Sequence, residues 1–321
     1  MTSPLREIIG VLHVHTTASD GSATARTVAR EAARAGLCFV GINDHSSLDA
    51  TRHGCRGWTD GVFVLPGAEI NDGRRMNHLL VYGLEELPDS NDTREQVAWV
   101  RERGGLAIPA HPFERGAFLP MMGSYPWTAG PLEGLSGVEV WNYMSQWKSG
   151  AKLSDVFRRL RHPDRFVSGP DGSAVELWLK VGGCAIGTPD AHGFRYGPGR
   201  WGMEVFPYRM LFDRLRTHLL LEEEISDRYE VASGQIIQAL GRGRVFTSNH
   251  LLGDARGFRA VRRGEDIIIS LPESGSVELA GPAPMNAELG AGRHTLRPKR
   301  FGRYLVTVRK EGRAWICCGL P

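Results

Sequence analysis

Two histidines two residues apart, His13 and His15, end the apolar run Ile8-Ile9-Gly10-Val11-Leu12. Residues i and i+2 of a strand leave the same face, so the two imidazoles are expected to converge from one side. Neutral imidazoles placed this way suit a divalent metal ion, although an isolated His-x-His is more often a pair of surface residues. The rest of the chain strengthens the metal reading. Asp20 sits in the turn Ser19-Asp20-Gly21, Asp44-His45 closes a second apolar run, and Glu69 closes a third. His111 follows the run 106–110, Asp190-Ala191-His192 follows a run ending near Ile186, and Asn77-His78 opens another. Gathering so many ionisable groups would be costly without cations to neutralise them. The nine candidate ligands are His13, His15, Asp20, His45, Glu69, His78, His111, Asp190 and His192. All are N or O donors with no thiolate, which suits Mn, Fe or Zn rather than a Cys-rich structural zinc site.

The elements that must carry these residues can be read from apolar runs and punctuation. Strands are expected at 8–15, 38–42, 62–66, 79–82, 106–108, 137–141 and 183–186, and helices at 22–35 and 93–103, the latter ending at Gly104-Gly105. Apolar strands separated by helices indicate a parallel sheet, and their length and repetition suggest a closed barrel. Active sites of such barrels lie at the C-terminal ends of the strands, where these residues fall. A helix is expected over 211–232, with Glu222-Glu223-Glu224 as a solvated turn, then a short helix at 236–240 and the barrel's last strand at 244–247. Beyond 252, strand-like runs at 267–270, 277–280, 304–308 and 314–317 are broken by Gly and Pro, which reads as a small all-β appendage. The expected organisation is therefore an α/β barrel over 1–250 and a small β domain over 251–321.

With 321 residues the chain can bury a full core. Its net charge of +3, with no long basic run, gives no electrostatic footprint for nucleic acid. No stretch is apolar enough to span a bilayer, and the N-terminus lacks a signal-peptide layout. Five irregularly spaced Cys do not form a disulfide framework. The expectation is a cytoplasmic, reduced protein that meets neither nucleic acid nor membrane.

Taken in order, His-x-His, Ser-Asp-Gly, Asp-His, Pro-Gly-x-Glu, Ala-His-Pro and Asp-x-His resemble the motifs of the PHP (polymerase and histidinol phosphatase) family, over residues 11–193. The resemblance implies a distorted TIM-like barrel of seven strands holding two or three divalent metal ions. It implies that His13, His15, Glu69 and Asp190 hold a first ion. Glu69 would bridge to a second held by His78 and His111, and Asp20, His45 and His192 would hold a third. Glu69, Asp190 and His192 would be the catalytic members. Glu139-Val140-Trp141-Asn142 and the segment 239–246 are similar to one branch of the family, which includes ester and carbamate hydrolases of the carbaryl-hydrolase type.

Two such ions can activate a bridging hydroxide and clamp the oxygens of an ester under attack. A small anionic phosphoester is the expected substrate. A carboxyl ester, carbamate or amide is the alternative, and a non-catalytic or nucleic-acid-processing domain is a third reading. Arg115, Lys148, Arg195 and Arg200, in loops after strand ends, are candidate anion-binding residues, with Arg195 favoured for its closeness to His192. Asp44 is read either as orienting a ligand or as capping its turn. Trp141 is expected in the core, with Trp147 and Trp201 as further pocket candidates. His53, His162, His218, His250 and His294 fall outside the motifs and are read as surface or structural. No Gly-x-Ser-x-Gly elbow marks Ser46-Ser47 or any other serine as a nucleophile.

Overall fold

The computed structural model describes residues 5–52, 55–116, 123–196 and 202–321; His53, Arg200 and Trp201 lie outside them. The chain opens with β1 (Arg6–Val14), α1 (Ala25–Arg34) and β2 (Phe39–His45). The short α2 (Asp49–Arg52) and β3 (Gly57–Thr59) precede β4 (Val62–Ile70), β5 (Leu79–Tyr82), α3 (Thr93–Glu102) and β6 (Leu106–Pro109). Then come β7 (Gly137–Asn142), α4 (Tyr143–Lys148), α5 (Val156–Arg161), α6 (Gly172–Val181) and β8 (Cys184–Thr188). A hairpin of β9 (Phe194–Tyr196) and β10 (Met203–Val205) leads to α7 (Tyr208–Phe212), β11 (Leu215–Leu221), α8 (Tyr229–Gly241) and β12 (Val245–Asn249).

The helices begin where side chains can satisfy their free N–H groups. Thr24 caps α1, Asp92 caps α3 and Asp171 caps α6, each accepting from the first turn. The strands are apolar on both faces because both faces are covered. Val11 and Val14 of β1 join one core cluster with α1, whereas Leu12 joins another with Phe63, Ile108 and Ile236.

The sheet is mixed, which corrects the expectation of parallel strands. β1, β2 and β4 are parallel, but β5 is antiparallel to both β4 and β6, and β11 is antiparallel to both β1 and β12. β7 and β8 pair in parallel as a separate two-stranded unit, with β7 beside β6 and β8 beside β11 and β12. A parallel bridge from Val14 to Ala191 joins the end of β1 to the chain just beyond β8. Among the described residues the hydrogen-bonded strand order does not close into a ring.

The helix expected over 211–232 is not there. α7 stops at Phe212, β11 occupies Leu215–Leu221, and α8 starts only at Tyr229; the expected 236–240 helix is the latter part of α8. Leucines favour helices in isolation, but β11 is hydrogen-bonded on both edges, and that pairing overrides the local preference. The Glu222-Glu223-Glu224 turn is the link between β11 and α8.

After β12 every helix-like segment is a single 3-10 turn at His250–Leu252, and strands follow. These are β13 (Arg259–Arg263), β14 (Asp266–Leu271), β15 (Gly275–Ala280), β16 (Met285–Leu289), β17 (Gly292–Leu296), β18 (Tyr304–Lys310) and β19 (Arg313–Leu320). β13, β14 and β17 form one small sheet, while β19 pairs with β12 and so extends the large sheet through β18, β15 and β16. β12 is therefore not the last strand of that sheet. A third core cluster, containing Phe258, Ile269, Val306 and Trp315, fills the space between these strands.

Candidate metal centre

One rim of the sheet collects the candidate ligands because strand direction sends them there. β1, β2 and β4 end at this rim, delivering His13 and His15, His45, and Glu69. β6 runs with β4, since β5 opposes both, and delivers His111. β5 runs the other way, so its residue at this rim is the one before its start, His78. The chain after β8 brings Asp190 and His192. Register does the fine placement: His45 of β2 lies directly beside Glu69 of β4.

His13 and His15 converge, but not by plain strand alternation. The β1–β2 register shifts between Val11 and Val14, and His13 has a φ of 60°. His111 and Asp190 also have positive φ, at 28° and 53°. Non-glycine residues in this region carry strain of order 1–3 kcal/mol and persist only where neighbours fix them. For His13 those neighbours are Asn43, which accepts from the His13 N–H at 3.1 Å, and Tyr82, whose hydroxyl donates to the same Asn43 oxygen at 2.8 Å. Gly67 makes room for this support, because a Cβ there would fall 2.7 Å from Tyr82 and 2.9 Å from the Asn43 amide. Asp44 uses its side chain on a neighbouring loop rather than on its own turn. Its carboxylate accepts from Thr16 N–H, the Thr16 hydroxyl and the Ser19 hydroxyl at 2.6–2.7 Å, holding the loop that carries Asp20.

Glu69, 1% exposed, stands at the centre. Its Oε2 lies 3.3 Å from His13 Nε2, His15 Nε2 and His45 Nδ1, and its Oε1 lies 2.7 Å from His78 Nδ1 and 3.1 Å from His111 Nε2. Asp190 Oδ1 is 3.3 Å from His13 Nε2, 3.6 Å from His15 Nε2 and 3.4 Å from His192 Nδ1. Asp20 is 3.4–3.6 Å from His15, His45 and His192. Two donors each ~2.0–2.1 Å from one ion at the tetrahedral angle stand about 3.3–3.4 Å apart. Most of these separations match that spacing rather than a hydrogen bond. His15 Nε2 and Asp190 Oδ1 are buried without a hydrogen-bond partner, as donors aimed at a shared ion would be; Nδ1 of His15 and Nδ1 of His111 are orphaned as well.

The donors fall into four overlapping groups: His15, Asp20, His45 and His192; His13, His15 and Asp190; His13, Glu69 and His111; and His45, Glu69 and His78. Together these hold all nine sequence candidates. His78 and His111 both approach Glu69 Oε1 but belong to separate groups.

Charge in the cluster is strongly perturbed. Burial opposes protonation of His13, but Asp190, Glu139 and Glu69 outweigh it and hold its pKa well above the usual imidazole value. The same contest leaves His15 and His111 raised to about 9. Burial and the neighbouring His15 push His192 down to about 3. Glu69 and Asp190 are held well below the carboxylate range, burial being overcome by the surrounding histidines.

Several residues of the site were not singled out for it by the sequence. Glu139 is buried in β7, where its Oε1 accepts from His13 Nδ1 at 2.8 Å and the Thr188 hydroxyl at 2.5 Å. Its Oε2 accepts from the His111 N–H at 2.5 Å and the Asn142 amide at 2.9 Å, and Asn142 also donates to Asp190 at 3.2 Å. A Glu inside the apolar run Gly137–Trp141 was the available signal. Tyr208 ties two ligand loops together, its hydroxyl lying 2.9 Å from the His15 carbonyl and 2.7 Å from that of His192. Nothing in the sequence marks it.

Above the cluster lies a cavity of about 570 Å³. Lys148 lines it, its ammonium 2.6 Å from the buried Glu114 carboxylate. Trp147 lines it too, and Arg75, absent from the sequence candidates, joins them. Arg115 and Arg195 are exposed and not among its lining residues. The preference for Arg195 is thereby corrected: in β9 it pairs opposite Glu204, and the alternation of the strand gives the cavity Phe194 and Tyr196 instead. Trp141 is buried in the core as expected.

No family model matches the sequence, and no curated protein matches it. Among solved structures, a two-domain protein from Bacteroides vulgatus containing a predicted PHP-like metal-dependent phosphoesterase is 16% identical. The match covers 98% of this chain and 96% of that one, with a TM-score of 0.52. A candidate metal-dependent phosphoesterase from Bifidobacterium adolescentis is 17% identical over 61% of this chain and 90% of that one, with a TM-score of 0.35. An amidohydrolase from Chromobacterium violaceum, with bound sulfate and no metal, is 18% identical over 63% and 95%, with a TM-score of 0.33. Nearly end to end, the chain shares its mixed α/β fold with the Bacteroides protein that contains a PHP-like phosphoesterase.

Proposed function

We propose that this chain is a PHP-type metal-dependent phosphoesterase acting on a small anionic substrate, with a metal centre of two or three divalent ions. The observation that carries the reading is the central buried Glu69, ringed by five histidines, three of them at coordination spacing, beneath an open cavity. His13, His15 and Asp190 would hold one ion and Asp20, His45 and His192 another; Glu69 would reach a further ion with His78 and His111, two donors that fall in separate groups and would have to close on it as it binds. Mn, Fe or Zn bound there would supply neutralising charge for phosphoryl oxygens and activate water. The chain's own groups orient these ligands: Glu139 fixes His13, and Tyr208 fixes the loops of His15 and His192. Arg75 faces the cavity as a cation for the remaining phosphoryl oxygens, and Lys148, its charge balanced by Glu114, has N–H donors left for one of them.

In the same reading, β1, β2, β4, β5, β6, β7 and β8 form the distorted barrel, and the chain divides near residue 250 into barrel and β unit. A cytoplasmic location is favoured by the five free cysteines. No helix among the described residues is long and apolar enough to cross a membrane.

The test is metal analysis of the purified protein, followed by phosphoester and carboxylester or carbamate panels with Mn added. Phosphoester turnover that a chelator abolishes, with loss of bound metal in His13→Ala, is the expected result. Turnover of carboxyl esters or carbamates alone would replace the phosphoesterase reading, and full activity without metal would overturn the account.

A further inference from the structure

Resting on the phosphoesterase reading, we propose that the substrate carries a flat apolar group next to its phosphoryl group, seated against an aromatic wall of the cavity. The wall is built from elements on different sides of the cluster. Tyr125 stacks on His78 at 4.6 Å and 18°, and Phe194 stacks on His192 at 4.5 Å and 18°. His45 lies between those histidines, its ring 5.6 Å from His78 and 6.3 Å from His192, so Tyr125 and Phe194 flank the cluster from two sides. Tyr196 continues the Phe194 side, with ring centroids 6.3 Å apart, and Met144, Trp147 and Val205 complete the lining.

These side chains offer a substrate mostly faces rather than hydrogen bonds. The Trp147 indole N–H is already committed to the Arg159 carbonyl at 3.0 Å. The Lys148 charge is balanced by Glu114, whose carboxylate also accepts from the Tyr125 N–H at 3.1 Å and so locks ring and ammonium together. A polyhydroxylated group could reach Asn71, Arg75 and the tyrosine hydroxyls but would cover Phe194, Met144, Trp147 and Val205 without partners there, whereas an aromatic ring gains contact area and stacking on those same faces. The reaction itself is ordinary hydrolysis: the oxygen of water bonds to phosphorus, the bond from phosphorus to the alcohol oxygen breaks, and that oxygen leaves with a proton as the alcohol.

Benzyl phosphate, methyl phosphate and glycerol phosphate release alcohols of similar acidity, so their kcat/KM values on the Mn-loaded protein compare the wall rather than the chemistry. Benzyl phosphate is expected to exceed the other two by about ten- to a hundredfold. The benzyl-to-methyl ratio is expected to fall at least several-fold in Tyr196→Ala and in Phe194→Leu, which keeps apolar volume but removes the flat face. Equal values for benzyl and methyl phosphate, or a preference for glycerol phosphate, would overturn the proposal. Calorimetric binding of benzylphosphonate and methylphosphonate separates the two readings without turnover. Tighter benzylphosphonate binding with no phosphoester hydrolysis would support the wall while sinking the phosphoesterase reading. Hydrolysis with no benzyl preference in either assay would do the reverse.

Discussion

Glu139→Gln is a one-atom change that the geometry converts into a loss of metal affinity. Four donors converge on this carboxylate, two on each oxygen: His13 Nδ1 and the Thr188 hydroxyl on Oε1, the His111 N–H and the Asn142 amide on Oε2. An amide has one accepting oxygen, so one pair of donors must face an NH2 group. The His111 N–H is backbone and cannot turn away, so the glutamine oxygen is expected to stay on that side. The NH2 group then faces Thr188, which can rotate its hydroxyl to accept, and His13, which cannot rotate. His13 can accept at Nδ1 only by moving its proton to Nε2. That nitrogen points at Glu69 and Asp190, 3.3 Å from each, and is the one offered to a metal. A protonated Nε2 does not coordinate.

Loss of an outer partner of a metal-binding histidine costs about 10–100-fold in affinity, or about 1.4–2.8 kcal/mol. The mispaired buried group costs a further 1–3 kcal/mol, roughly, in folding stability. Metal affinity is measured by competition against a chromophoric chelator, and stability by urea unfolding of the metal-free protein. Thr188→Val is the control, because it removes a donor from the same oxygen without touching the His13 tautomer. It is expected to lose stability but to keep metal affinity within about threefold. Wild-type affinity and stoichiometry in Glu139→Gln, or equal affinity losses in both variants, would refute the tautomer argument.

Two further outcomes follow from the charges. Ligand imidazoles must be neutral, whereas the surrounding carboxylates favour the protonated forms of His13, His15 and His111, the last two raised to about 9. Loading at pH 7.5 should therefore release protons, seen as a buffer-dependent heat in calorimetry, with little contribution from His192, lowered to about 3; loading with no proton release would contradict these directions. Away from the cavity, Ser248, His218 and Glu7 form a buried chain with 2.8 Å links that ties β12, β11 and β1 to Gly257 and Arg259, and burial keeps the imidazole neutral. The folded pKa values of both His218 and Glu7 are depressed, so their contribution is fully present above about pH 6.5 and is lost as pH falls, His218 first and Glu7 below about 4.5. The urea-midpoint gap between wild type and His218→Asn should narrow between pH 7.5 and 5, and a gap that widens would reverse the assignment.

The rim of candidate ligands was legible in the sequence because it depends on short-range facts: an apolar run, then a His, Asp or Glu. What the sequence could not supply is set by strand pairing. His78 looks misplaced at the start of its strand until β5 proves antiparallel, which brings its beginning to the rim where the other strands end. The leucines of β11 read as helical, and only hydrogen bonding to β1 and β12 makes them a strand. His13 was expected to converge with His15 by simple alternation, whereas a register shift and a left-handed residue, held by Asn43 and Tyr82, do the turning. Arg195 is the most instructive case. Closeness in sequence to His192 favoured it, but in a strand each residue faces away from the next. The three-residue β9 gives its two aromatic ends to the cavity and its arginine to the opposite face, beside Glu204. The same alternation that turns Arg195 away gives Phe194 and Tyr196 to the cavity lining, so the residues passed over in favour of Arg195 are the ones proposed to bear on what the cavity accepts.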